Sequence, residues 1–168
     1  MPSRVSFLIV FAALGALGIT AAVLRWTARQ SVEGTWLAET KTKALPDTMR
    51  IQISDGELRV SFLVPYSSPE GTETDALKLD GDQHSFPGTS RLFALTSDYG
   101  ISSSYLAQSD RKTITIDERY DFPNQPEHVR SERWVLQDGG NRLVIVRGDG
   151  LTTYDRAPLS YYFGYHPL

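Results

Sequence analysis

Beyond residue 30, apolar residues recur at every second position, and that period decides what the backbone can become. In TMRIQIS, Met49, Ile51 and Ile53 alternate with Arg50 and Gln52, the mark of a strand with one wet face. Asp55-Gly56 follows as a two-residue hairpin turn. ELRVSFLV then resumes with Leu58, Val60, Phe62 and Val64 on one face. Further strands are expected at Asp75–Leu79, Arg91–Thr96, Ile101–Leu106, Thr113–Tyr120, His128–Gln137, Arg142–Arg147 and Leu151–Asp155. Asp80-Gly81, QSDRK, FPNQPE, QDGGN and GDG punctuate them as turns. Past residue 30 no window carries a helical stripe. Eight to ten short strands with tight turns predict an all-β, antiparallel barrel, with a two-sheet sandwich as the alternative.

The first 30 residues follow another rule. From Val5 to Leu24 the chain runs 20 residues without a charge. As a helix that run is about 30 Å long, the thickness of a bilayer's hydrocarbon core. A cleaved signal peptide is the rival, with Thr20-Ala21-Ala22 as its small-x-small site, but Val23, Leu24 and Trp26 carry the apolar character past it. Residues 1–30 are therefore expected to form a transmembrane or signal-anchor helix. It would hold a domain over residues 31–156 on the extracytoplasmic side of the inner membrane; secretion after cleavage is the alternative. Residues 157–168, APLSYYFGYHPL, form an aromatic tail that can lie at the headgroup level or dock across its own barrel.

Charge and composition narrow the partners. Residues 1–30 contain three basic residues and no acidic ones, which leaves 14 basic against 20 acidic residues beyond them. That sign argues against nucleic acid, whose phosphates need a basic footprint. With no cysteine in the chain, disulfides, thiolate metal sites and a cysteine nucleophile are excluded.

Four stretches stand in a suggestive order. Gly34-Thr35-Trp36 opens the first strand, LKLDGDQHSFPG spans Leu77–Gly88, RSERWVLQDGGNRLVIV forms a strand–turn–strand unit, and TTYDR closes the domain. In that order the chain resembles the lipocalin-like domains of bacterial envelope and secreted proteins, over about residues 31–156. The resemblance implies a calycin-type barrel, with Arg156 matching the last-strand arginine that stacks on the tryptophan. It departs from the pattern in proline-rich YDFPNQPEH, and Asp98-Tyr99 falls too early for the second lipocalin motif. Independently of the family, Trp36 suits a plug at the narrow end of a barrel, where interior side chains taper. Gly34 suits a point where the chain crosses close beneath and a Cβ would collide. Gly34, Trp36 and Arg156 are thus read as structural.

TIDERYDFPNQPEHVRSERW is the dense polar stretch. If its two strands pair symmetrically about the proline loop, Glu118 faces Arg130, Tyr120 faces His128 and Ile116 faces Glu132. Such a cluster can do acid–base work or be ordinary cross-strand ion pairing on a solvated face. The second reading is adopted, so no catalytic residue is assigned and no enzyme is expected. His84, His128 and His166 lie at least 38 residues apart, without metal-ligand spacing, and no metal or cofactor is assigned. No serine sits in a G-x-S-x-G elbow, and no glycine loop resembles a phosphate cradle.

The expected function follows from the barrel. Inward Leu58, Val60, Phe62 and Val64 offer no charge, so a guest would be apolar or amphipathic. Val60 and Phe62 would line its site, with His84 and Phe86 reaching in from a mouth loop. The chain is thus expected to be a membrane-tethered, extracytoplasmic, small-molecule-binding module. The alternative is an envelope structural or interaction domain whose barrel is packed solid.

Overall fold

The computed structural model of the chain describes residues 30–39, 46–63, 72–86, 88–90, 92–93, 95, 101–148 and 150–158. Ten strands lie among them: β1 (Gly34–Ala38), β2 (Thr48–Ser54), β3 (Glu57–Leu63), β4 (Thr72–Lys78), β5 (Asp80–Ser85), β6 (Ser102–Ser109), β7 (Thr113–Asp121), β8 (His128–Gln137), β9 (Arg142–Arg147) and β10 (Gly150–Arg156). The expected membrane segment Val5–Leu24 and the tyrosines of the tail lie outside the described residues. Among the described residues, no helix is long and apolar enough to cross a membrane.

All ten strands form one antiparallel sheet in the order β4-β3-β2-β1-β10-β9-β8-β7-β6-β5. Strands adjacent in sequence pair throughout, except that β1 pairs with β10 and that β4 and β5 do not bond each other. A single rolled sheet, and not a two-sheet sandwich, is the result. It closes almost completely: β4 and β5 are separated by Leu79 alone. The Tyr105 hydroxyl of β6 reaches across that seam and accepts from Lys78 N at 3.1 Å.

Period-2 sidedness builds the core. Met49 and Ile51 of β2, Leu58, Val60 and Phe62 of β3, and Leu77 of β4 join one buried cluster with Ile114, Ile116, Trp134, Leu143, Ile145 and Tyr154. The β2–β3 hairpin turns at Asp55 (φ 53°) and Gly56 (φ 73°), the positive-φ pair that suits strand twist.

Two expected elements differ. Asp80-Gly81 is not a turn: Gly81, at φ 80°, sits where the β5–β6 register shifts between Asp80 and Gln83. A bulge absorbs the extra residue and the strand continues, so His84 lies on a strand and not on a loop. Nor do the described residues of Arg91–Thr96 form a strand. Ser90 N donates to Leu95 O at 2.7 Å, closing a compact turn whose Leu92, Phe93 and Leu95 are at most 1% exposed. Leu92, Phe93 and Leu95 are apolar because they enter the barrel, not because they join the wall.

Candidate functional site

Three charged side chains of β7 and β8, those of Glu118, Arg130 and Glu132, point into the barrel. The hairpin has the symmetric register, with Ile116 opposite Glu132, Glu118 opposite Arg130 and Tyr120 opposite His128. Side chains of one parity share one face. Ile114 and Ile116 face the core, so Glu118 does too; Trp134 and Leu136 face it, so Glu132 does too. Both carboxylates are 0% exposed, which corrects the expectation of a solvated ion-pair face. Arg147 of β9 shares parity with the buried Leu143 and Ile145 and points inward with them. An interior free of charge is likewise corrected.

These groups form one network. Glu118 Oε2 accepts from Tyr120 Oη at 2.7 Å and from Arg130 Nε at 2.6 Å, and Arg130 Nη2 forms an ion pair with it. Glu132 Oε1 lies 3.3 Å from Arg130 Nη2 and 2.5 Å from Arg147 Nε. Its Oε2 accepts from Trp134 Nε1 at 3.1 Å. Burial, and then the neighbouring Glu132 carboxylate, push the Glu118 carboxyl from 4.5 up to about 7, against the opposing pull of Tyr120 and Arg130. Burial first, then the bond to Glu118, raise the Tyr120 phenol. Glu118 Oε1 is buried without a hydrogen-bond partner.

The same network grips the inserted turn. Arg130 Nη2 donates to Phe93 O and Arg147 Nη2 to Leu92 O, both at 2.7 Å. From β4, Asp75 Oδ2 accepts from Ser90 Oγ at 2.5 Å and from Leu92 N at 3.2 Å. The Ser90 hydroxyl in turn accepts from Phe93 N at 2.9 Å. The Phe93 ring stacks on Trp134, centroids 6.0 Å apart. Above Glu118, Tyr120 stacks on Phe122 at 6.3 Å, and Phe122 meets His128 edge-on at 5.7 Å.

The residues named from sequence fall into three places. Val60 and Phe62 are buried in the core. His84 and Phe86 gather elsewhere, around Tyr105, at 5.5 Å and 6.2 Å between ring centroids. His84 Nε2 lies 2.9 Å from Asp80 Oδ1, and that hydrogen bond is the main reason the Asp80 carboxyl is held below its ordinary value. Gly34, Trp36 and Arg156 meet at the far end. Trp36 is fully buried, its Nε1 donates to Val32 O at 2.8 Å, and Arg156 Cζ stands 4.3 Å over the ring. The Arg156 guanidinium also donates to Gly140 O, Glu33 O and Ser31 O at 2.6, 2.7 and 2.8 Å. A Cβ on Gly34 would meet Arg156 Nη1 at 2.5 Å, so what that glycine clears is the arginine and not a crossing backbone. A depression of about 220 Å³ lies at this end beside Lys112 and the Asp138–Gly140 turn.

Asp75, Phe93, Trp134 and Arg147 were not singled out from the sequence. For Asp75 and Arg147 the signal was parity with Leu77 and Ile145. For Phe93 there was no local signal. Among the described residues, no group of three or more potential ligands could hold a metal ion.

No family model matches the chain, and no curated protein matches it. Among solved structures, it is similar to the crystal structure of wild-type fluorescent protein UnaG. The two are 15% identical with a TM-score of 0.46, over 75% of this chain and 97% of that one. A point mutant of UnaG is similar at 16% identity and a TM-score of 0.45, over 75% and 96% of the two chains.

Proposed function

We propose that this chain is a non-catalytic binding module whose barrel takes up one small amphipathic molecule. Its polar group would meet Arg130 and Arg147, and its apolar body the core around Trp134, Val60 and Phe62. The observation that carries this reading is the pair of fully buried carboxylates, Glu118 and Glu132, held within the barrel by the partly buried guanidiniums of Arg130 and Arg147. Buried ion pairs are a poor device for stability, since well-packed apolar side chains of similar volume serve as well or better. Ionisable groups with a perturbed pKa inside a concave fold mark recognition sites more often than chance.

Binding rather than catalysis is supported by how the groups are engaged. Glu118 and Glu132 contact arginines, a tyrosine and a tryptophan. The Ser90 hydroxyl is committed to Asp75 and the Phe93 amide. The uncharged run Val5–Leu24 supports tethering, with the barrel on the extracytoplasmic side of the inner membrane.

One observation favours the second reading, a filled scaffold: Leu92, Phe93 and Leu95 occupy the interior themselves. Titration of the full-length chain in nanodiscs with an environment-sensitive amphipathic fluorophore separates the two. Micromolar uptake, weakened at least about tenfold by Arg130→Met and by Val60→Trp, supports the binding module. A folded chain that takes up no probe of any length leaves the scaffold.

A further inference from the structure

Three charged groups on three strands converge on one short piece of the chain's own backbone. Asp75 accepts the Leu92 amide, Arg147 donates to the Leu92 carbonyl, and Arg130 donates to the Phe93 carbonyl. Between those carbonyls hangs an aromatic ring stacked on Trp134. We propose that this is a recognition subsite for an aromatic molecule carrying two carbonyl acceptors one peptide unit apart, the class of acylated aromatic amino-acid amides, and that Phe93 occupies it in cis. The inference rests on the binding reading above and names the chemistry of its guest.

The wall of the subsite is organised apart from its occupant. Glu132 Oε1 sits between Arg130 and Arg147, and Glu132 Oε2 holds the indole N–H of Trp134. One buried carboxylate thus orients Arg130, Arg147 and Trp134, three of the groups that touch Leu92 and Phe93, as outer partners fix a binding site's geometry. Charge then selects the guest. Glu118 and Glu132 already neutralise the two guanidiniums, so the remaining Nη2 donors call for neutral carbonyl oxygens and not for an anion. A purely apolar guest would leave both donors without acceptors at a desolvation cost. Asp75 accepts the N–H that lies one carbon before the first carbonyl, a contact that a simple acetyl group leaves unmade.

Because the Leu92–Phe93 segment competes for the subsite with its ring and both backbone carbonyls, wild-type affinity is reduced by the fraction of time that segment is elsewhere, and removing the ring weakens the segment's own hold. The test uses the full-length Phe93→Ala variant and three probes. N-acetylphenylalaninamide has the ring and both carbonyls, N-acetylleucinamide has the carbonyls alone, and toluene has the ring alone. The expected result is that N-acetylphenylalaninamide raises the melting temperature of Phe93→Ala well above the effect of either partial probe. Arg147→Met should remove the advantage, and wild type should bind the same probe at least about tenfold more weakly. If toluene stabilises Phe93→Ala equally, the subsite is a bare apolar hole and the proposal falls. No stabilisation by any probe also overturns it. Should Phe93→Ala not fold, Phe93→Leu is compared in the same way. Uptake of aliphatic amphiphiles by wild type without aromatic preference in the variant sinks this inference and leaves the binding module. Rescue of the variant with no probe bound by wild type keeps the subsite and sinks that module.

Discussion

Arg156 shows how much one side chain can be asked to hold. Its guanidinium covers Trp36 and donates to three backbone carbonyls, at Ser31, Glu33 and Gly140. Those carbonyls belong to the entry of β1 and to the β8–β9 turn, so the residue ties together segments 125 positions apart. A cation–π pair alone is worth about 0.5–2 kcal/mol, but hydrogen bonds to a charged group contribute about 1.5–3 kcal/mol each and are not additive. Arg156→Ala is therefore expected to cost about 3 kcal/mol or more, comparable with the roughly 3–5 kcal/mol for Trp36→Ala. Urea unfolding of the two variants checks this. An Arg156→Ala midpoint equal to wild type would remove the guanidinium from the account of that end.

At the scale of the element, the β7–β8 hairpin couples a buried acid to its stability. Its register was legible because the proline loop is short and the strands are of similar length. Ile116 opposite Glu132 looks out of place on a wet face, and it is out of place: both residues are inside. Glu118 holds its proton more tightly in the folded chain, at about 7 against 4.5. Between those values the folded state binds more protons than the unfolded one, so the contribution of Glu118 is complete below about 4.5 and is lost as pH rises through about 7. Glu118→Gln should flatten that fall and leave the variant at least as stable as wild type near pH 8. Thermal melts from pH 5 to pH 8 read the slope, and an unchanged slope in the variant would assign the pH dependence elsewhere.

For the whole molecule, the question is where the barrel resides. The anchor reading of Val5–Leu24 predicts that the expressed chain sediments with membranes and keeps residues 1–30. Intact mass measurement of the mature protein decides this, and an N-terminus near Val23 would replace the anchor with a cleaved signal. Barrel closure matters here because β1 pairs with β10. The first described strand is therefore pinned by the last described one, and a tether at residue 30 would pull on the Trp36–Arg156 end.

Alternating Ile, Val and Leu with turn residues determined, by itself, that the region beyond residue 30 is antiparallel and all-β, and it set the β2–β3 and β7–β8 registers. Those features are local: strand sidedness and turn geometry are written within a few residues of where they act. Parity was also local, and applied to Glu118, Glu132 and Arg147 it contained the direction of the charged cluster. What occupies the barrel was not local. Phe93 meets Arg130 across 37 positions, and Leu92 meets Arg147 across 55. Whether an apolar run such as RLFALT joins the wall or fills the space behind it depends on the volume left when ten strands close. Only the tertiary structure sets that volume, because it is a property of the rolled sheet and of no segment within it.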